Sequence, residues 1–251
     1  MSSVPSAFLQ APQLYVPGKK PCHPVKLNKQ HALSPSLFCG WFGESPSALR
    51  ELVRGKKKDM VGDVVTSKVV QSPVGPGWQA TSRVDFEGHF DISEYTSTHQ
   101  SYTFSIYADW PNPDPNNASP TYFFDSTAGR LVFAEDQAGS NILAFYDTAW
   151  TATGVNIWVG RPALLTMVLD GPGNDLIVYI DGEQKYFGTT AYTPRNIGGT
   201  TILFNRFASN GNALNVSSTT IYYVMIHEGV RSPGQIRQHA LHPFQMFEPV
   251  S

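Results

Sequence analysis

The sequence predicts an all-β protein: two antiparallel sheets packed as a sandwich, with a short helix near the C-terminus. Three observations carry that expectation. Consecutive hairpins fill residues 164 to 187, a strand near residue 105 alternates apolar with hydroxyl side chains, and turn signals recur at sandwich-like intervals from Ser36 onward.

Taken along the chain, residues 1 to 30 come first and contain Pro5, Pro12, Pro17, Pro21 and Pro24, which rule out a sustained helix or a central strand and predict an extended arm. Phe8, Leu9, Leu14, Tyr15 and Val16 make this arm too apolar for a solvating tail. They need a surface to cover, either the protein's own sandwich or a partner subunit, and are the candidate partner-binding residues. An arm that orders on its partner is a common assembly device, because the ordering entropy is lost only when the contact forms.

Residues 31 to 251 read as the sandwich domain. In Ser101 to Ala108, the side chains of Tyr102, Phe104, Ile106 and Ala108 alternate with Thr103, Ser105 and Tyr107, which predicts a strand with one face in the core and a mostly hydroxylic face outside. Pro111 to Pro120, rich in Asn, Asp and Pro, reads as a loop. Strands follow at Tyr122 to Asp125, Arg130 to Ala134 and Asn141 to Tyr146, with Thr127-Ala128-Gly129 as a hairpin turn. The apolar run Leu164 to Leu169 meets a tight turn at Gly171 to Asn174, and Leu176 to Ile180 meets Asp181-Gly182 before Gln184 to Phe187 folds back. Asp-Gly supplies the positive φ angles that a two-residue hairpin demands. After a last long strand, Thr219 to His227, Ser232 is placed to cap a helix, Pro233 fits its first position and Gln235 completes a capping box.

Composition narrows the function. Charged residues make up 15% of the 251 residues, against roughly 25% in an average soluble protein. The surface is therefore largely Ser, Thr, Asn, Gln and Gly, suited to packing against neighbours or to hydroxyl-rich ligands. A net charge of −2 gives no electrostatic case for nucleic acid, and the basic run Arg54 to Lys58 reads as a solvated loop. No stretch approaches the roughly 20 apolar residues of a membrane span, and the first residues lack the basic and apolar regions of an export signal, so a chain made and kept soluble is expected. Cys22 and Cys39 are too few for a disulfide framework, and Cys22-His23 has no second pair to complete a metal site.

Several segments carry a family likeness: HALSPSLFCGWF at His31 to Phe42, RVDFEG at Arg83 to Gly88, LDGPGNDLIVYIDGEQKYFG at Leu169 to Gly188, TIYYVMIHEGVRSPGQIRQ at Thr220 to Gln238 and HPFQMFEP at His242 to Pro249. Together they resemble the laminin-G-like, concanavalin A-like jelly-roll family, in particular the versions carried by tailed bacteriophages and prophages. The resemblance implies a jelly-roll sandwich without a catalytic signature. It also implies calcium as the one candidate cofactor, near a rim, where Asp109, Asp114, Asn116, Asn117 and Asp125 could supply the oxygens a hard cation needs. Their spacing matches no fixed calcium motif, and a turn-forming loop explains the same residues, so no cofactor and no metal ligand is expected, with calcium the alternative.

Catalytic patterns are sparse. Asp85 and Glu87 would share a strand face about 7 Å apart, within the roughly 6.5 to 9.5 Å of an inverting glycosidase pair. However, the longer Glu-x-Asp-x-Glu run of jelly-roll glucanases is missing, and Val84 and Phe86 would claim the core, leaving both carboxylates in solvent. His239 and His242 lack the intervening Glu of a zinc helix. Trp150, Trp158 and the tyrosines at 122, 146, 186 and 192 could build a sugar-stacking platform if several project from one face, although each also suits the core.

The expected function is a non-catalytic virion structural protein, a capsid decoration (cement) protein that binds coat subunits through its arm and sandwich rim. It would be multi-copy or homo-oligomeric on the particle and located in the virion after synthesis in the host cytoplasm. The alternative is a glycan-binding adhesin module of a phage tail or baseplate. A glycan hydrolase or lyase is a third reading and lacks its carboxylate constellation.

Overall fold

The computed structural model describes residues 25–42, 50–54, 67–80, 89–91, 97, 99–110, 122–126, 131–135, 142–147, 149–157, 159–190, 201–203 and 219–249. In chain order the strands are β1 (Val25–Leu27), β2 (Leu37–Phe42), β3 (Arg50–Glu51), β4 (Ser67–Gln71), β5 (Pro76–Ala80), β6 (His89–Asp91), β7 (Tyr102–Trp110), β8 (Tyr122–Ser126) and β9 (Leu131–Glu135). They continue with β10 (Ile142–Asp147), β11 (Ala149–Asn156), β12 (Arg161–Asp170), β13 (Asp175–Ile180), β14 (Glu183–Thr189), β15 (Thr201–Leu203) and β16 (Thr220–Glu228), then helix α1 (Pro233–Leu241) and β17 (Phe247–Pro249).

Two antiparallel sheets form the sandwich. The larger runs β14-β13-β12-β7-β16-β2-β3, with β5 joining β16 and β4 joining β5. The smaller runs β11-β10-β9-β8-β15-β6. Phe104, Ile106, Trp110, Leu165, Met167 and Val178 of the larger sheet meet Leu143, Phe145 and Val155 of the smaller one in a dry core. The long, β-branched and aromatic strands β7, β12 and β16 lie at the centre of the larger sheet, where such side chains bury most area.

The predicted outer face of β7 is not outside. Thr103 and Ser105 are fully buried and Tyr107 nearly so. What makes this possible is that the hydroxyls find partners: Ser105 Oγ lies 3.4 Å from Thr166 Oγ1, while Thr103 Oγ1 donates to Gly229 O at 3.0 Å and accepts the Arg231 N–H at 3.1 Å. A satisfied hydroxyl can be buried at little cost. The cover is the C-terminal segment, with Phe244, Met246 and Phe247 packing on Phe42, Tyr107, Leu164 and Tyr223, and Ile236 of α1 packing on Val168 and Tyr179. The molecule is thus a sandwich with a third, partial layer.

Helix α1 begins as its sequence demands. Ser232 Oγ accepts the Gln235 N–H, Gln235 Oε1 accepts the Ser232 N–H at 3.0 Å, and Pro233 occupies the first turn, where no N–H is needed. The segment read as an arm enters the described residues only at its end: Val25–Leu27 pairs antiparallel with Phe247–Pro249 and joins the two ends of the described chain in a ribbon. Cys39 is fully buried, and burial pushes its thiol well above the usual range, which leaves it inert.

Candidate functional site

The site begins with an irregularity in β11. Ile142 pairs with Asn156 but Ala144 pairs with Ala152, so β11 carries two more residues than β10 over the same span. Gly154 takes up the distortion with φ at +71°. Thr153 locks it: its hydroxyl donates to Leu143 O at 2.6 Å and accepts the Val155 N–H at 3.2 Å. Bulges of this kind re-aim side chains at sheet rims. Here the bulge brings Gly154, Val155 and Asn156 to the lip of a cleft of about 450 Å³ at one mouth of the sandwich.

The opposite lip is the hairpin turn between β13 and β14. Asp181 and Gly182 both have positive φ, +51° and +79°, as a two-residue turn of this hand requires. Asp181 is held from three sides: its N–H donates to Leu164 O at 2.9 Å, its Oδ1 accepts the Leu164 N–H at 2.8 Å, and its Oδ2 meets Arg161 Nη1 at 2.6 Å. Glu183 and Lys185 form a second pair at 2.7 Å, and Val155, Val159 and Ile180 supply apolar walls. Two cations, two carboxylates and one amide balance to zero charge while presenting donors and acceptors side by side. Such a lining suits a neutral, polyhydroxylated ligand better than an ion.

On the outer face of the same sheet, Tyr146 lies across from Trp150 with ring centroids 5.1 Å apart and planes tilted by 58°. Trp150 is 38% exposed, whereas Trp41 and Trp110 are buried. Along β11, Thr153 and Val155 point into the core whereas Trp150, Ala152, Gly154 and Asn156 face outward. Trp150 and the cleft lip at Gly154 to Asn156 therefore share β11, separated by roughly 13 to 20 Å of chain.

Of the predicted platform, the structure brings together Tyr146 and Trp150. Tyr186 packs half-buried against the core, while Trp158, Tyr192 and the Tyr122 side chain lie outside the described residues. The arm residues Phe8, Leu9, Leu14, Tyr15 and Val16 also lie outside them, as do Cys22, Asp85, Glu87, Asp114, Asn116, Asn117 and the Asp125 side chain. Asp109 ends β7 half-buried, and burial raises its carboxyl above the usual range. Among the described residues, no group of three or more His, Cys, Asp or Glu side chains is placed to hold a metal ion. His239 is buried against the Tyr223 hydroxyl at 3.0 Å and His242 is exposed at the helix end, so the two do not converge. Sequence reading missed the Arg161–Asp181 clamp and the bulge. The Thr-Gly step inside a strand pattern was the available signal for the second.

Two packed antiparallel sheets make the chain a concanavalin-like β-sandwich in fold, with a part-exposed Trp150 and a polar cleft at one mouth. No protein-family model matches the chain, and no curated protein matches its sequence. Among solved structures, it is similar to domain 4 of AbnA, a GH43 extracellular arabinanase from Geobacillus stearothermophilus, in complex with arabinotriose, at 13% identity and a TM-score of 0.60 over 82% of this chain and 98% of that one. It is also similar to the ligand-binding domain of botulinum neurotoxin serotype D in complex with N-acetylneuraminic acid, at 11% identity and a TM-score of 0.58 over 82% of this chain and 50% of that one. A Trypanosoma rangeli sialidase matches at 12% identity and a TM-score of 0.56 over 84% of this chain and 33% of that one. The chain thus spans the whole arabinanase domain, but half of the toxin domain and a third of the sialidase. At these identities the likeness is one of fold.

Proposed function

We propose that the chain is a non-catalytic glycan-binding module. The observation that carries this reading is the part-exposed Trp150, paired with the half-buried Tyr146 of β10, on the strand whose other end forms the lip of the polar cleft. An indole stacks on the C–H face of one sugar ring, while the cleft at the far end of the strand, with Arg161, Lys185, Asp181, Glu183 and Asn156, offers donors and acceptors to the hydroxyls of another sugar of the same oligosaccharide. Both cleft carboxylates stand in ion pairs, Asp181 with Arg161 and Glu183 with Lys185, which places them to accept hydrogen bonds rather than to deliver a proton to a leaving group. The sandwich likeness to an arabinanase domain that holds arabinotriose and to a toxin domain that holds N-acetylneuraminic acid supports the same reading.

The test is titration calorimetry with arabino-oligosaccharides and sialyllactose, preceded by a glycan array. Trp150→Ala is expected to weaken binding at least tenfold, about 1.4 kcal/mol, with little change in thermal midpoint because the ring is partly exposed. Unchanged affinity in that variant, or no glycan bound at millimolar concentration, sinks the proposal.

A second reading places the module on a virion, as the phage-type resemblance implies, with the arm seated on coat subunits. Its support is the apolar, proline-rich segment that carries Phe8, Leu9, Leu14, Tyr15 and Val16; none of the solved structures named above is a virion component. Deleting residues 1 to 24 is expected to abolish occupancy on purified particles without moving the thermal transition, and full occupancy of the truncated chain overturns this reading.

A further inference from the structure

The chain is nearly neutral, yet its basic residues are not spread evenly. Lys19, Lys20, Lys26, Lys29, Arg50, Arg54 and Lys56 to Lys58 supply nine of the 18, all from two short segments. Where those segments are described, they face one another across a groove of about 560 Å³ between the β1–β17 ribbon and the turn after β3. Lys26 and Lys29 stand on one wall and Arg54 on the other, with Leu52 and Val53 between them. Among the described lining residues the one carboxylate is Glu248, which lies 3.5 Å from Lys26 in an exposed pair.

The groove is preformed. Glu51, itself fully buried, accepts the N–H groups of Gly40 at 3.3 Å, Val53 at 3.0 Å and Arg54 at 2.6 Å, which fixes the turn. The Arg54 side chain is not a freely solvated cation: its Nη1 donates to Phe38 O at 2.7 Å and its guanidinium stands 5.6 Å from the Phe38 ring centroid. The facing wall is tied down by the Asn28 N–H to Met246 O at 2.8 Å and by Ser34 Oγ donating to Asn28 O at 2.6 Å. Three cations around one concave surface, Arg54 anchored and the two lysines facing solvent, with Leu52 and Val53 beside them, suit a chain that carries repeated negative charges and also presents C–H faces.

The geometry points to this groove as a second binding site, for an acidic polysaccharide bearing carboxylate or sulfate groups. Among the described residues no aromatic ring lines the groove to stack unpaired bases, which disfavours single-stranded nucleic acid. The preference for a polysaccharide over other polyanions rests on the glycan-binding reading, whereas the cationic groove itself does not.

The experiment uses the full chain with four probes: polygalacturonate for carboxylates, dextran sulfate for sulfates, linear arabinan as a neutral glycan, and single-stranded DNA. Binding is measured by affinity electrophoresis at about 50 and 200 mM salt, a range over which multi-charge contacts weaken steeply. At least one acidic polysaccharide is expected to bind, to lose tenfold or more in affinity across that range, and to lose tenfold or more in Lys26→Glu/Lys29→Glu. Which of the two polymers binds identifies the anion. Both lysines are solvent-facing, so the thermal midpoint of the variant should hold; Lys29→Glu alone serves if the double variant does not fold. Trp150→Ala should leave acidic binding intact, and the lysine variant should leave arabinan binding intact, so the two sites fail separately. Acidic polymers that bind the lysine variant as they bind the parent, binding indifferent to salt, or DNA bound more tightly than both polysaccharides would each overturn the assignment.

Discussion

Gly182→Val is expected to cost about 3–5 kcal/mol of folding stability, the sum of a left-handed backbone forced on a β-branched residue and overpacking against a helix. Gly182 sits at φ +79°, and a Cβ there would lie 2.8 Å from Arg237 Cα and 3.2 Å from Ala240 Cβ. The first of these is backbone of α1 and cannot rotate away. The helix would have to lift from the sheet and give up the packing of Ile236 on Val168 and Tyr179. Gly154 provides the internal control. Its φ is nearly the same, +71°, but nothing lies within 4 Å of an added Cβ, so Gly154→Ala should cost only the conformational strain, about 1–2 kcal/mol. Urea denaturation of both variants, with Gly154→Val alongside to match the β-branch, separates the two contributions. A Gly182→Val loss no larger than that of Gly154→Ala would show that the close approach of helix and turn is wrong.

That turn also shows what sequence could and could not reveal. Asp181-Gly182 between two apolar strands is a local signal, because two adjacent residues must both adopt positive φ, and few residue types do so. Ser232-Pro233-Gly234-Gln235 is local in the same sense. The buried hydroxyl face of β7 was illegible because Thr103 and Ser105 are satisfied by residues more than sixty positions away, Thr166, Gly229 and Arg231, and an alternating pattern cannot show that a third layer covers it. Arg161 and Asp181 meet only through the register of β12 on β13, and no spacing rule joins them. Tyr146 and Trp150 are four residues apart, a separation that reads as a contact only once the β10–β11 hairpin places them opposite one another. The basic groove sets the turn after β3 beside β1, a strand held in place by the last strand of the fold, so from sequence Arg54 looked like part of an isolated solvated loop.

Stability is expected to fall steeply between pH 6.5 and 4.5, because the layer that α1 and the C-terminal segment lay on the sheet is built over buried neutral imidazoles. His227 of β16 and His239 of α1 are fully buried, with ring centroids 6.5 Å apart. The Arg231 guanidinium beside them is anchored to Leu33 O and to Ser36 Oγ at 2.8 Å. Desolvation first, and then the Arg231 charge, opposes a proton on either ring. His239 is pushed down to about 3 and His227 falls well below its ordinary range. The Thr103 backbone near His227 pulls slightly the other way, but neither ring nitrogen has a hydrogen bond of good geometry, so nothing compensates an added charge. His31, half-buried nearby, is lowered in the same direction, also chiefly by desolvation.

The unfolded chain takes up protons on these rings as pH drops through about 6.5, while the folded chain does not. Unfolding therefore becomes more favourable by about 1.4 kcal/mol per pH unit for each imidazole. For the two fully buried rings the loss reaches roughly 5 kcal/mol by pH 4.5, comparable with the entire stability of many domains. Asp109 works in the opposite sense, since its raised carboxyl protonates first in the folded state, but it is one half-buried group against two fully buried rings. Chemical denaturation from pH 7.5 to 4.5 measures the slope. His239→Gln keeps a partner for the Tyr223 hydroxyl and removes one titrating ring, so the slope below pH 6.5 should fall by about half. A parent protein equally stable at both ends of that range, or a variant with the parent's slope, would show that these imidazoles are not buried neutral beneath the helix.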